Sequence, residues 1–348
     1  MNTIKVLVTG CGGGSIGEQV IKCLRMSQLS FHVTATDVTG ISKGKVDGDD
    51  FLVVPYANSD TYITTLLDIC ASRKIDVVVP GSEVELKVIS LNKVLFEKKK
   101  IHLLVNSQDI LRTCLDKNLT SKFLSDNGFY TPISTEIKTL NDLSNLKKFP
   151  LVLKPSIGGG GSLNTLIAQN ESELHLFGTF LLEQYPAFIA QEYVGNGESE
   201  YTVGVLSDKN QNIIDSIILK RNILSGLGSK LKVKNKTDQA QLGNYLVISS
   251  GISQGEIIRN EHIKNTCEKL AISLGSIGPL NIQCRLVDDK VYVFEINPRF
   301  SGTSPMRAMA GFNEVELMIR NLMLNDDDFT RINYRLGHIV RGLSEFFV

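Results

Sequence analysis

The segment "KVYVFEINPRF", residues 290–300, sets Glu295, Asn297 and Arg299 at every second position of an otherwise apolar stretch. A β-strand sends alternate side chains to one face. The spacing therefore predicts a strand that aims a carboxylate, an amide and a guanidinium at one place, where a purely structural strand would carry apolar groups. Such a trio is costly to bury without a ligand, so this face is expected to hold one. Immediately upstream, "NIQCRLVDD" (281–289) reads as an antiparallel partner that turns through Asp288 and Asp289 and carries Gln283. Carboxylate and amide oxygens suit Mg²⁺, a hard cation that bridges phosphates. Arg299 offers paired donors to a phosphate or a carboxylate. Downstream, "SGTSPMRAM" (301–309) brings Ser301, Thr303 and Ser304 to an expected helix start, with Arg307 one turn in.

Towards the N-terminus, "EYTVGVLSD" and "NIIDSIILKR" predict a hairpin around "DKNQN". The stretch 225–244 is polar, bears glycine and is too long for an inert connection. The wider loop 221–245, with Arg221, Lys230, Lys232 and Lys234, is expected to shape substrate choice. Its basic character hints at an anionic substrate, with a solvated charged loop as the more common explanation. Residues 261–275 read as a helix. Between 149 and 194, "FPLVLKP", "LNTLIAQ" and "AFIAQEYV" read as strands with a helix over 171–184, which makes a small α+β lobe. Lys154 stands at a strand end before Gly158, Gly159, Gly160, Gly161 and Ser162. Glycines let backbone N–H groups approach a polyphosphate, and the lysine adds positive charge. A flexible hairpin beside a surface lysine fits the same residues. Gln191, Glu192, Tyr193 and Val194 end a strand that offers backbone groups to a purine edge, with Glu198 or Glu200 as acceptors for ribose hydroxyls. Solvated surface acids are the plainer alternative.

Residues 1–115 alternate strands and helices, and their continuous apolar strands imply a parallel, doubly wound sheet covered on both faces. Its first turn carries Gly12, Gly14 and Gly17 in G-x-G-x-x-G spacing after a strand, and Asp37 closes the next strand. Three readings stand: a dinucleotide fingerprint, a tight strand–helix turn, or an anion pocket at the helix start. Asp116 to Gly128 reads as a helix with a glycine stop.

The 348 residues suffice for two or three cooperating lobes. Lys+Arg and Asp+Glu both number 37, which lacks the basic excess expected of a nucleic-acid binder. The six cysteines are scattered, without C-x-x-C, and the five histidines form no H-x-x-x-H pair. Buried cytosolic thiols are expected, and a zinc site is not. No apolar run approaches the roughly 18 residues that cross a bilayer, and no signal peptide is read. A cytoplasmic location is expected.

The order Asp116-Lys117, Lys154 with its glycine loop, Gln191-Glu192-Tyr193-Val194, Gln283 and Glu295-x-Asn297-Pro298-Arg299 resembles the ATP-grasp superfamily. It is most similar to a single synthetase unit of the carbamoyl-phosphate synthase large subunit, which carries two such units. The tail "GHIVRGLSEFFV" is similar to those of stand-alone ATP-grasp ligases that join a carboxylate to an amine. The resemblance implies a pre-ATP-grasp domain over 1–115, a lid lobe over 116–192 and a C-terminal lobe over 193–348. It implies that Lys117 and Lys154 contact the ATP phosphates, that Gly159, Gly160, Gly161 and Ser162 form a mobile phosphate loop, and that Gln191, Glu192, Tyr193 and Val194 flank adenine. Glu200 would meet the ribose. Gln283, Glu295 and Asn297 would hold Mg²⁺, with Mn²⁺ as a substitute. Arg299, Lys154 and Glu295 would be catalytic, and Gly13, Gly14, Arg221, Ser301, Thr303 and Arg307 would face substrate. The partners implied are a small-molecule carboxylate and an amine, without nucleic acid or membrane, and with a homodimer as an option. Carbamoyl-phosphate or bicarbonate-phosphorylating chemistry is the nearest rival. An oxidoreductase built on the N-terminal glycine turn, and an ATP-binding regulatory subunit without turnover, stand further off.

Overall fold

The computed structural model describes residues 3–158, 160–224, 226–251, 254–324 and 332–346. Strand β1 (Ile4–Val8) is the centre of the N-terminal lobe. Val6 and Val8 point into a core shared with the helix Ile16–Arg25, while Leu7 points into a second core with Tyr62, Leu66, Leu86 and Ile89. A strand buried on both faces must be apolar throughout, which is why its sequence shows no alternation. β2 (Phe31–Asp37), β3 (Asp50–Val53), β4 (Val77–Val79) and β5 (His102–Leu103) complete an all-parallel sheet in the order β3-β2-β1-β4-β5. This is the doubly wound arrangement expected from the sequence.

Two helices follow, Gln108–Leu115 and Lys117–Asp126. The sequence reading names only the second. The first is signalled by Ser107, whose side chain accepts from Ile110 N as an N-cap. Asp116 caps the second by accepting from Asn118 N and Leu119 N, and Gly128 takes a φ of 74° just beyond its end.

The second sheet has four strands: β6 (Ser134–Ile137), β7 (Leu151–Pro155), β8 (Leu166–Ala168) and β9 (Phe188–Glu192), in the order β6-β9-β7-β8. It packs Leu151, Leu153 and Phe188 against Leu174 and Leu181 of the helix Glu171–Gln184. The third sheet is antiparallel and takes in β10 (Glu200–Ser207), β11 (Ile213–Asn222), β14 (Gln254–Ile258), β15 (Pro279–Val287), β16 (Lys290–Asn297) and β17 (Gly337–Ile339), in the order β16-β15-β10-β11-β14-β17. One face covers the helix Glu261–Leu274. On the other face Leu206, Ile217 and Leu219 share a continuous core with Val6, Val8, Val20 and Phe312. That shared core docks the N-terminal lobe onto the sheet that carries Glu295.

The segment 225–244 departs from expectation. It contains β12 (Ser229–Lys234), which pairs with β13 (Tyr245–Ser249) as a separate two-stranded ribbon. Polar residues alternate with Leu231 and Val233, and these pack on Tyr193, Leu242 and Leu246, so part of what reads as a polar loop is an amphipathic strand. All six cysteines are buried and free. Among the described residues no helix is long and apolar enough to cross a membrane.

Candidate active site

β15 and β16 pair with Gln283 opposite Glu295 and Asn281 opposite Asn297, and a bulge follows Gln283. The end of β16 gathers the three expected groups. Asn297 Nδ2 donates to Glu295 Oε1 at 3.1 Å, and Arg299 Nη2 donates to Asn297 Oδ1 at 3.1 Å and to Glu83 Oε1 at 2.9 Å. Arg299 Nη1 reaches Phe300 O, and its buried Nε has no hydrogen-bond partner among the described residues.

Two clefts meet at this strand. The first, of about 670 Å³, lies between the four-stranded sheet and the six-stranded one. Pro132, Val152, Val247, Ile248, Tyr292 and Phe294 give it an apolar slot, and Gln191, Glu192, Tyr193 and Val194 run along one edge. Lys117, Lys154 and Ser162 stand at the end nearest Glu295. The second cleft, of about 1280 Å³, lies between the N-terminal lobe and the six-stranded sheet. Gly14, Ser15 and Glu83 line it on one side, and Asn297, Arg299, Ser301 and Thr303 on the other. Gln283, Glu295, Ser162 and Ser249 belong to both clefts, so Glu295 stands where they join.

The charges at the junction are unequal. Lys154 is 5% exposed, and its Nζ donates to Phe294 O at 3.2 Å. Lys117 Nζ donates to Gly158 O at 2.9 Å. Among the described residues neither lysine has an ion-pair partner. Burial, reinforced by Lys117, pushes the Lys154 ammonium down to about 8, against a smaller opposing pull from Glu295. Burial on its own would raise the Glu295 carboxyl, but Lys154, Lys117, the Asn297 amide and Arg299 together hold it below the usual carboxylate range. A buried ammonium and an ionised carboxylate that attract one another without closing an ion pair are costly to desolvate, a cost that an anion with its counter-cation would relieve.

The donor set suits such a cation. Glu295 supplies one carboxylate, and Asn297 and Gln283 supply amide oxygens, all hard donors. Among the described residues no cluster of three His, Cys, Asp or Glu could hold a metal, so a cation here would share its ligands with the phosphates it accompanies. Gln283 is the weakest of the three donors, because its Oε1 already accepts from Arg221 Nη1 at 2.8 Å.

Other expected residues divide between the cleft walls and the interior. Glu200 is 1% exposed, with Oε1 taken by Arg221 at 3.1 Å and Oε2 by Arg285 at 3.0 Å. It locks two guanidiniums while still lining the first cleft, where the ribose is expected. Arg221 lies inside β11 and donates to Ser250 O, and it lines the second cleft, the side on which a substrate-facing residue is expected. Lys230, Lys232 and Lys234 lie on β12, and Lys232 caps Leu224 O. Arg307 is fully buried, bonded to Glu314 at 2.7 Å and to Asn281 Oδ1 at 2.6 Å. It is enclosed beneath Asn281 and Thr202, whose side chains it bonds and which line the second cleft, rather than facing substrate itself. Tyr193 also turns inward, its hydroxyl held between the peptide groups of Val247. Gly13 is exposed outside the second cleft, Gly161 lines it, and Gly160 opens a short 3-10 turn. Gly159 lies outside the described residues.

The sequence reading missed Arg285, whose guanidinium lies 4.6 Å from the Tyr193 ring and bonds Val194 O at 3.0 Å. It also missed Glu83. The available signal for Glu83 was its place just past the carboxyl end of β4, where parallel sheets bind ligands.

A family model for the ATP-grasp domain matches residues 114–303, and one for the PylC-like N-terminal domain matches residues 6–104. The carbamoyl phosphate synthase large chain of Methanocorpusculum labreanum is 24% identical over 346 residues, a match covering 92% of this chain and 30% of that one. The chain therefore spans less than a third of that relative's length. Among solved structures, the L-amino acid ligase from Bacillus licheniformis superposes with a TM-score of 0.66 at 16% identity, covering 96% of this chain and 78% of that one. The biotin carboxylase domain of the Hydrogenobacter thermophilus 2-oxoglutarate carboxylase, in complex with MgADP, ADP and bicarbonate, gives 0.64 at 16% identity, covering 91% and 68%. At these identities the likeness is one of fold.

Proposed function

The chain belongs to the ATP-grasp family, and from that premise we propose that it is an ATP-dependent ligase that activates a carboxylate as an acyl phosphate and joins it to an amine. The observation that carries this reading is the junction of the two clefts. Two lysines without ion-pair partners among the described residues face Glu295 from the nucleotide side, and Asn297 and Arg299 face the inter-lobe cleft on the other. ATP would lie in the first cleft, with adenine in the apolar slot and the triphosphate running past Lys154 and Lys117 towards Glu295. Residues 1–115 would form the substrate-binding lobe, 116–192 the lid and 193–348 the catalytic lobe.

A carboxylate oxygen of the substrate attacks the γ-phosphorus in line, the bond from that phosphorus to the β–γ bridging oxygen breaks, and ADP leaves. The amine then attacks the acyl carbon, phosphate departs, and the amine loses a proton. Lys154, Lys117 and Arg299 offset the charge that spreads over the phosphoryl oxygens. Glu295 and Asn297, with Gln283 as an outer partner, would hold Mg²⁺, which when bound neutralises the β- and γ-phosphates. Ser162 already ties the glycine loop to β13 by donating to Ser249 O at 3.0 Å, which favours closure over the phosphates and exclusion of water from the acyl phosphate.

The test is a screen of acids and amines for ADP release, followed by isotope transfer with any active acid. Oxygen-18 in the carboxylate is expected in the released phosphate. Unlabelled phosphate would exclude the acyl phosphate, and ADP release that needs bicarbonate but no amine would favour the carboxylase-type rival.

A further inference from the structure

Glu83 belongs to no part of the chemistry described above. It opens the helix Glu83–Leu91 just past the carboxyl end of β4, and its side chain is 25% exposed in the inter-lobe cleft. Its ion-pair partner is Arg299, whose own side chain is 15% exposed. The contacts make a single run across the cleft: Glu83 to Arg299 at 2.9 Å, Arg299 to Asn297 at 3.1 Å, and Asn297 to Glu295 at 3.1 Å. Arg299 also keeps a spare donor, since its buried Nε has no partner among the described residues.

We infer that Glu83 recognises a protonated amine on the substrate, so that the acid activated in this cleft is an amino acid. The inference rests on the ligase function proposed above. Once a triphosphate lies against Glu295, Arg299 has an anion stronger than Glu83 to serve. A carboxylate left half-buried without a cation is unfavourable, and a substrate ammonium restores the balance. Arg299 and Glu83 together then fit a zwitterion, with the substrate carboxylate held towards the phosphates and its ammonium on Glu83. The plainer role for Glu83 is as an acid in the first turn of its helix. Glu85 lies in that same turn, and a helix-start role gives Glu83 no reason to reach 2.9 Å across the cleft to another lobe.

Because nucleotide binding is what releases Glu83, nucleotide and amino acid should strengthen each other's binding, by a reciprocal factor. The experiment is calorimetry on the full chain saturated with a non-hydrolysable ATP analogue and Mg²⁺. The probes are the common amino acids in both hands, each paired with its des-amino acid. At least one amino acid is expected to bind about tenfold or more tightly than its des-amino partner, as one charge-assisted contact allows. Without nucleotide that preference should shrink. Glu83→Gln should erase it while keeping or raising nucleotide affinity, and Glu83→Asp should retain part of it. Equal binding of the paired acids, no binding of any amino acid while nucleotide binds, or an undiminished preference in Glu83→Gln overturns the inference alone. Failure of the wild-type chain to bind the nucleotide overturns the ligase reading as well.

Discussion

Two glycine runs lie at opposite ends of the site, and both resemble phosphate cradles in the sequence. In the first, Gly17 is fixed by space: a Cβ there would lie 2.5 Å from Thr9 O and 2.6 Å from Gly10 O. Asp37, the residue that would read a ribose in a dinucleotide fold, is satisfied internally. It accepts from Ser42 Oγ and Val38 N, both at 2.7 Å. Underneath, Glu85 takes hydrogen bonds from Tyr62 and Ser82, and burial raises its carboxyl above the usual range despite them. In the second run, Gly158 and Gly161 would meet nothing with a Cβ, but they take φ values of 80° and 66°, where only glycine is comfortable. Lys117 and Lys154 stand beside them without ion-pair partners among the described residues. Glycines mark where backbone must come close or turn, and a charge left unmatched marks where a ligand goes.

The largest effect should come from the junction itself. Glu295→Gln is expected to lower kcat for ADP formation by about 10²–10³, as loss of one preorganised electrostatic contact does, with the fold intact by circular dichroism. Near-normal turnover would remove Glu295 from the chemistry. Next, Lys154→Met should weaken ATP–Mg²⁺ binding by about 10- to 100-fold as measured by calorimetry. Since the Lys154 ammonium titrates near 8 in the free protein, nucleotide should draw a proton onto it. Calorimetry at pH 8 in buffers of different ionisation enthalpy should show that uptake, and the variant should lose it. The same group sets a stability trend. Its folded value lies below the ordinary 10.5, so the unfolded chain holds more protons between the two values. The cost of burying Lys154 is then fully present below about pH 8 and fades as pH rises towards 10.5, a slope that Lys154→Met should flatten in denaturant titrations.

The first glycine run should answer to folding rather than to chemistry. Gly17→Ala is expected to destabilise by about 1–3 kcal/mol, the usual range for forced overpacking, with nucleotide affinity per folded molecule unchanged. Gly13→Ala, with nothing within 4 Å of its Cβ, should be near neutral. The smallest effect belongs to Asp37→Asn, which should leave ATP affinity within about twofold, well below one lost charge-assisted bond. Micromolar binding of NADH, lost in that variant, would reverse the comparison between the two runs.

Much of this was legible in the sequence because period and chemistry agree there. The parallel sheet shows in unbroken apolar strands, and the strand that joins the two clefts shows in three polar side chains at period two. The residues found already paired share a physical cause. Glu200, Arg221 and Arg307 look in the sequence like groups available to ligands, yet Glu200 pairs with Arg221 and with the unforeseen Arg285 across strands far apart in the chain, and Arg307 pairs with Glu314 and Asn281. Arg221 and Arg285 meet on the one carboxylate of Glu200, and no local pattern reports such a pairing. The β12–β13 ribbon was hidden for a related reason, since its apolar side packs with Ile167 and Val152 of another lobe. Glu83 was hidden because its partner lies 216 residues away.

The most direct test is a crystal structure of the chain with a non-hydrolysable ATP analogue and Mg²⁺. It should show the adenine in the apolar slot beside Val194, the triphosphate on Lys154 and Lys117, and a magnesium ion about 2.0–2.1 Å from side-chain oxygens of Glu295 and Asn297. Nucleotide bound at the Gly12–Gly17 turn, or a metal held away from Glu295, would contradict it.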